Sequence, residues 1–211
     1  MAIFEGVDLA CERGGRVMFA GLGFAAASGG VLLLAGANGS GKSSLLRLMA
    51  GLGTPAAGAL RWAGKPVTED PDGHRARLAW VGHADAVKPA LTVARNLADW
   101  AGMAGPRRAA ADIDAALDRV GLGRLGPIPA RHLSAGQRRR LALARLALGA
   151  APLWLLDEPT TALDEDGVAR LAGLIDGHCA SGGLVVAATH GATLAAALTA
   201  PVATLTLRAA P

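Results

Sequence analysis

Residues 36–43 read Gly36-Ala37-Asn38-Gly39-Ser40-Gly41-Lys42-Ser43 and fit the pattern G-x-x-x-x-G-K-[ST] in full. The apolar run Val31 to Ala35 precedes them, bounded by Gly29-Gly30 and Gly36, and predicts a buried strand. Lys42 to Ala50 follows with Leu45, Leu46, Leu48 and Met49 at mostly helical spacing, and Gly51 stands where a helix would stop. A glycine-rich loop between strand and helix curls so that successive N–H groups point inward at the positive end of the helix. Such a cradle suits phosphate oxygens, with Lys42 reaching the β- and γ-phosphates and Ser43 offering its hydroxyl to Mg²⁺. Gly36, Ala37, Asn38, Gly39, Ser40, Gly41, Lys42, Ser43 and Ser44 are therefore candidate nucleotide-binding residues.

The remaining pattern alternates strands with helices. Arg77 to Val81, Leu153 to Leu156, Leu184 to Ala188 and Val202 to Leu207 read as strands. Val93 to Met103 and Arg107 to Val120 read as helices separated by Gly105-Pro106; Ser134 caps a helix running to about Leu148; Asp164 to Cys179 and Thr193 to Leu198 are further helices. This order predicts an α/β protein with a mainly parallel sheet. Short apolar pieces at Ile3 to Leu9, Arg16 to Phe19 and Leu22 to Ala26 predict a small N-terminal antiparallel β layer. Gly/Pro breaks at 53–58 and 121–129 bracket a helical middle, so a single domain spanning 1–211 is expected, with a helical subdomain at about 84–150 inserted in its core.

Composition narrows the class. A chain of 211 residues with 52% apolar and 18% charged side chains can fill one core and is not disordered. No apolar run reaches the roughly 18 to 20 residues that cross a bilayer, because Arg145 and Pro201 interrupt the nearest candidates. The N-terminus lacks the basic segment and apolar stretch of an export signal, so a cytosolic chain is expected, with any membrane role supplied by a partner. Cys11 and Cys179 form no Cys-x-x-Cys pair and are expected to stay reduced. The net charge of +4 reads as a solvated basic surface rather than a nucleic-acid footprint, since no Lys/Arg run is interleaved with aromatics.

The strand Leu153 to Leu156 delivers Asp157-Glu158, where Asp157 would hold Mg²⁺ and Glu158 would polarise the attacking water as general base. Leu133-Ser134-Ala135-Gly136-Gln137 offers a second anion site at a helix N-terminus, ahead of Arg138, Arg139 and Arg140; taken alone it is equally a serine cap on a solvated, arginine-rich helix. This pentapeptide resembles the signature motif of the ABC ATPases. The order of motifs is theirs too, with Thr161-Ala162-Leu163-Asp164 similar to their D-loop and Ala188-Thr189-His190 similar to their switch histidine. The resemblance covers nearly the whole chain. It implies a P-loop NTPase fold of ABC type binding ATP and Mg²⁺, with His190 donating to the γ-phosphate. It also implies a head-to-tail homodimer in which Ser134, Gly136 and Gln137 of one copy contact the nucleotide held by the other.

Two positions depart from the family. Counting back nine residues from Thr92 reaches His83 where the family carries a Gln that senses Mg²⁺; an imidazole can still bond water, and His83 joins Glu158 and His190 as a candidate catalytic residue. The adenine-stacking aromatic is missing from Leu9-Ala10-Cys11-Glu12-Arg13, although Arg13 could stack as a planar cation. Leu9 to Phe19, Trp80-Val81-Gly82-His83, Lys88 to Leu97 and Leu133 to Arg140 together resemble the branch of the family that serves bacterial cytochrome c maturation, also described as haem exporters. That resemblance implies a peripheral ATPase on the cytoplasmic side of the inner membrane. Its partners would be a membrane subunit of CcmB type with CcmC and CcmD, and hydrolysis would be coupled to haem export or to release of the haem-loaded chaperone CcmE. The alternatives are an ATPase subunit exporting another small molecule, or a soluble ABC ATPase acting on nucleic acid.

Overall fold

The computed structural model describes residues 2–104 and 108–208. Its first strands, β1 (Ala2–Arg13) and β2 (Arg16–Ala27), form one long antiparallel hairpin in place of the three short pieces expected. The pieces looked separate because the pairing register slips, most visibly between Gly6 and Leu9, where Asp8 adopts a positive φ of 49°. An apolar alternation cannot run through such a bulge unbroken. The strand β3 (Val31–Ala35) and helix α1 (Lys42–Met49) fall where the motif requires them.

Residues 57–76, which carried no predicted element, contain β4 (Ala57–Trp62), β5 (Lys65–Pro66) and a short helix, α2 (Pro71–Ala76). Asp70 caps α2, its carboxylate accepting from the Gly73 amide at 2.9 Å, with Pro71 in the first turn. The first sheet is antiparallel, in the order β2-β1-β4-β5.

After β6 (Leu78–Val81) the chain leaves for α3 (Val93–Ala104), α4 (Ala110–Arg119) and α5 (Ala135–Ala144), then returns as β7 (Leu153–Asp157). Of the helix expected at Arg107 to Val120, the described part spans Ala110–Arg119; Gly105-Pro106 and Arg107 lie outside the described residues. The helix opened by Ser134 is α-helical only to Ala144 and tightens into a 3₁₀ turn over Arg145–Ala147. The chain ends with α6 (Glu165–Ala180), β8 (Leu184–Ala188), α7 (Thr193–Ala197) and β9 (Val202–Thr206). The second sheet is parallel throughout, ordered β6-β7-β8-β3-β9.

Period-2 alternation on strands buried on both faces builds two cores. Leu32, Leu34, Leu153, Leu155, Leu184 and Val186 pack with Phe4, Leu9 and Phe19 of the first sheet and with Leu45, Leu46 and Met49 of α1. Their neighbours Val31, Leu33, Trp154, Leu156, Val185 and Ala187 face Val93, Leu97, Ile113, Leu117, Leu141 and Leu143 of the helices. The helices between β6 and β7 thus share a core with the sheet. Each such fully buried aliphatic side chain contributes about 1.5–3 kcal/mol. Both cysteines are free and buried, and burial raises their thiols, that of Cys179 to about 11, so they are protonated.

Candidate nucleotide site

Parallel strands in register end together. Leu34 and Asp157 both pair with Ala188, and Val81 pairs with Leu156, so the segments after β3, β6, β7 and β8 leave one edge of the sheet. That edge is where ligands bind in open α/β folds. The topology therefore brings the phosphate loop, His83, Asp157-Glu158 and His190 to one border, although the first and last of them lie 154 positions apart in sequence (36 to 190).

The loop itself needs glycine. Gly36 has φ 142°, and a Cβ there would lie 2.5 Å from the Leu207 carbonyl oxygen and 2.6 Å from Ser40 Oγ. Lys42 is 6% exposed and folds back over the loop, its Nζ donating to the carbonyls of Gly36 (2.8 Å) and Ala37 (3.1 Å). Ala37, Asn38 and Gly39 are exposed at the crest, while Ser40 and Ser44 are buried. Ser40 Oγ has no hydrogen-bond partner among the described residues.

Ser43 Oγ donates to Asp157 Oδ1 at 3.0 Å, joining the first turn of α1 to the end of β7. Two hard oxygen donors thus converge beside the cradle. No cluster of three His, Cys, Asp or Glu side chains that could hold a metal occurs among the described residues. One carboxylate and one hydroxyl, with the remaining positions left to water and phosphate, is the donor set Mg²⁺ favours, so these residues fit that ion.

Glu158 follows with a positive φ of 48°. A non-glycine residue in that region persists only where its surroundings over-determine it. Here the Glu158 amide donates to the Ala188 carbonyl at 2.9 Å, and its own carbonyl accepts from Arg139 at 2.8 Å. The turn directs the carboxylate to His190, whose Nε2 lies 2.9 Å from Glu158 Oε1. The sequence reading kept these two residues in separate roles. An imidazole that gives its Nε2 proton to a carboxylate keeps only an acceptor at Nδ1 unless it is charged. Alongside, Thr160 and Thr189 hydroxyls are 3.4 Å apart.

Ser134, Gly136 and Gln137 open α5. Ser134 Oγ accepts from the Gln137 amide (3.2 Å) and Gln137 Oε1 accepts from the Ser134 amide (2.9 Å), a reciprocal capping box. A Cβ at Gly136 would lie 2.7 Å from the Ala162 carbonyl oxygen, so glycine lets the helix start lean on the 161–164 loop. No hydrogen bond among the described residues joins these three to residues 36–44.

The arginines behind them are not a solvated basic face. Arg138 donates to the Leu133 carbonyl at 2.6 Å, Arg140 lies 3.7 Å from Asp166, and Arg139 is 3% exposed and bonded to residues of two loops. Sequence reasoning missed Arg139, although a signal existed: it shares a helical face with the buried Ala142, Leu143 and Leu146. His83 sits two residues beyond β6, exposed, with no hydrogen bond to its ring among the described residues. Arg13 ends β1 in an exposed position.

The family described as ABC transporter matches residues 19–161. The chain is 56% identical over 189 residues to the "Cytochrome c biogenesis ATP-binding export protein CcmA" of Paramagnetospirillum magneticum, covering 89% of this chain and 87% of that one. It is 54% identical to the protein of the same name from Rhodospirillum rubrum, covering 90% and 80%. A solved structure of an ATP-binding subunit of an ABC transporter superposes with a TM-score of 0.81 at 23% identity, covering 97% of this chain and 85% of that one, a likeness of fold. The chain belongs to the ABC transporter family, in its group of CcmA ATP-binding proteins.

Proposed function

We propose that the chain is the Mg²⁺-dependent ATP-hydrolysing subunit of a cytochrome c biogenesis complex at the bacterial inner membrane. The observation that carries the reading is the Ser43–Asp157 hydrogen bond of 3.0 Å beside the Glu158–His190 pair of 2.9 Å, on the edge that holds the phosphate loop. Residues 36–44 hold the polyphosphate, with Lys42 exchanging the loop carbonyls for β- and γ-oxygens. Ser43 and Asp157 hold Mg²⁺, which when bound neutralises charge on those oxygens.

Glu158 accepts the proton of the attacking water. His190 holds that carboxylate in place until the γ-phosphate competes for its proton; once the imidazole turns to phosphate, the carboxylate is free to act as base. His83, exposed two residues beyond β6 at the same edge, bonds the attacking water in this reading. The site is completed by a second copy, whose Ser134, Gly136 and Gln137 close on the nucleotide. Gly136 backed by Ala162 supports this role, because it ties the helix start to the loop next to Glu158.

No helix among the described residues is long and apolar enough to cross a membrane, so attachment in this reading is peripheral, through a membrane subunit of CcmB type acting with CcmC and CcmD. The coupling surface is Ala84 to Leu97. Asn96, 2% exposed, fixes that segment by donating to the Lys88 and Thr92 carbonyls and accepting from the Lys88 amide. An open groove of about 920 Å³ beside it is lined by Lys88, Arg95, Asp99 and Ile113.

The test is hydrolysis by the chain assembled with its membrane subunits. Phosphate release should require magnesium and vanish with Lys42→Ala. Failure to bind magnesium nucleotide, or assembly with membrane subunits of an unrelated exporter alone, overturns the reading.

A further inference from the structure

Arg139 is a buried guanidinium whose donors are divided between two loops. Nη1 donates to the Gly82 carbonyl (2.9 Å) and Asp85 Oδ1 (3.1 Å), which bracket His83. Nη2 donates to the carbonyls of Asp157 (2.7 Å) and Glu158 (2.8 Å), and Nε to that of Pro159 (3.3 Å). Among the described residues only Asp85, 27% exposed, answers its charge directly; the other four acceptors are backbone carbonyls. The nearby Arg145, stacked 5.3 Å over Trp100, adds repulsion: burial and the proximity of Arg139 pull it down to about 10, with Asp85 opposing.

An aliphatic side chain here would leave four backbone carbonyls without their donor, so the guanidinium ties the two loops together by satisfying them. The planar fork fixes directions that a lysine cannot. We infer that Arg139 is a positioning residue that locks the loop carrying His83 to the turn carrying Glu158, so that a displacement of residues 82–85 is delivered to the backbone of the catalytic turn. The left-handed conformation of Glu158 depends on this lock, since Arg139 holds the carbonyl side of a strained residue whose amide side is held by Ala188. The loop 82–85 adjoins the proposed coupling surface, so Arg139 gives a partner docked there a path of hydrogen bonds to the base. This inference rests on Glu158 being that base.

The test is Arg139→Lys in the full chain, read by amide hydrogen exchange and by nucleotide titration. Exchange at residues 82–86 and 158–161 should accelerate together, by about tenfold or more, with MgATP affinity kept within about twofold. In the assembled complex kcat should fall with KM unchanged, a split that a general loss of folding does not produce. Acceleration in one segment only, or in neither, overturns the inference. Should Arg139→Lys fail to fold, Asp85→Ala removes the carboxylate arm alone, whereas an asparagine would still accept from Nη1. Residues 82–86 should then exchange faster and 158–161 should follow to a smaller degree; an unchanged 82–86, or a 158–161 segment indifferent to it, overturns the inference. Near-normal turnover in Glu158→Gln would remove the base assignment while leaving the exchange result standing, so the two failures are distinct.

Discussion

His190 Nε2 and Glu158 Oε1 are 2.9 Å apart because Asp157 and Ala188 are registered partners on adjacent parallel strands. One residue past that pair lies the carboxylate, and two past it the imidazole. Register alone brings them to the same level, and the positive φ of Glu158 turns its side chain across to the neighbouring strand end. The carboxylate side chain is 16% exposed and the imidazole 51%.

Glu158→Gln should preserve nucleotide binding and reduce hydrolysis by about 10²–10⁴-fold, the range for losing a general base. It should also accumulate an ATP-held dimer, seen by size-exclusion chromatography with light scattering. Turnover close to that of the unaltered chain would count against the assignment.

Asp157→Asn keeps an acceptor for Ser43 Oγ and removes the charge. Nucleotide affinity measured in magnesium should weaken by about 10–100-fold, equivalent to the roughly 1.5–3 kcal/mol of a charged hydrogen bond. Affinity measured with the metal chelated should change little. An equal loss in both conditions would mean that the substitution damages the loop itself.

Gly136→Ala adds a methyl group 2.7 Å from the Ala162 carbonyl, which is backbone and cannot swing aside. Denaturant unfolding should show a loss of about 1–3 kcal/mol, typical of overpacking. ATP-dependent dimerisation should weaken further than stability does. A variant as stable as the parent would show that the helix start moves freely.

His74 is 1% exposed, stacks on Phe4, and lies 2.8 Å through Nε2 from the Met49 carbonyl, which makes Nε2 the protonated nitrogen. Burial lowers its pKa below the ordinary 6.5; Arg77 and Arg75 add to the shift, while the Met49 contact and Asp70 oppose it. The unfolded chain therefore binds the extra proton first as pH falls. His74 contributes stability that is full above pH 6.5 and is lost below it, at up to about 1.4 kcal/mol per pH unit. His74→Gln, which still donates to Met49, should flatten the decline of the thermal midpoint between pH 6.5 and 5. An unchanged slope would place the acid sensitivity elsewhere.

The central strands of the second sheet were legible because they are continuous apolar runs. Val31–Ala35 and Leu184–Ala188 match their predicted bounds, and Leu153 to Leu156 extends by one residue to Asp157. Strands buried on both faces announce themselves without alternation. The first sheet has one solvated face and a slipped register, so β1 and β2 looked like fragments. Ala57–Trp62 was hidden because Leu60 is its one buried residue, and Lys65–Pro66 because it is two residues long.

The site divides the same way. Lys42, Ser43 and Asp157 were readable from local spacing, since each stands at a strand end or a helix start. The partnership of Glu158 with His190 depends on which strands lie side by side, and no periodicity states that. Arg139 looked like one of three solvated arginines because charge outweighed position in reading the helix.

The helix that begins at Lys42 is lined by buried apolar side chains between two sheets, with Leu45, Leu46 and Met49 fully enclosed. Sliding it would shear the core that the two sheets share. The helix that carries Lys42 is therefore held fast by its frame, and in the proposed reading any large movement during hydrolysis falls to α3, α4 and α5, which lie between β6 and β7.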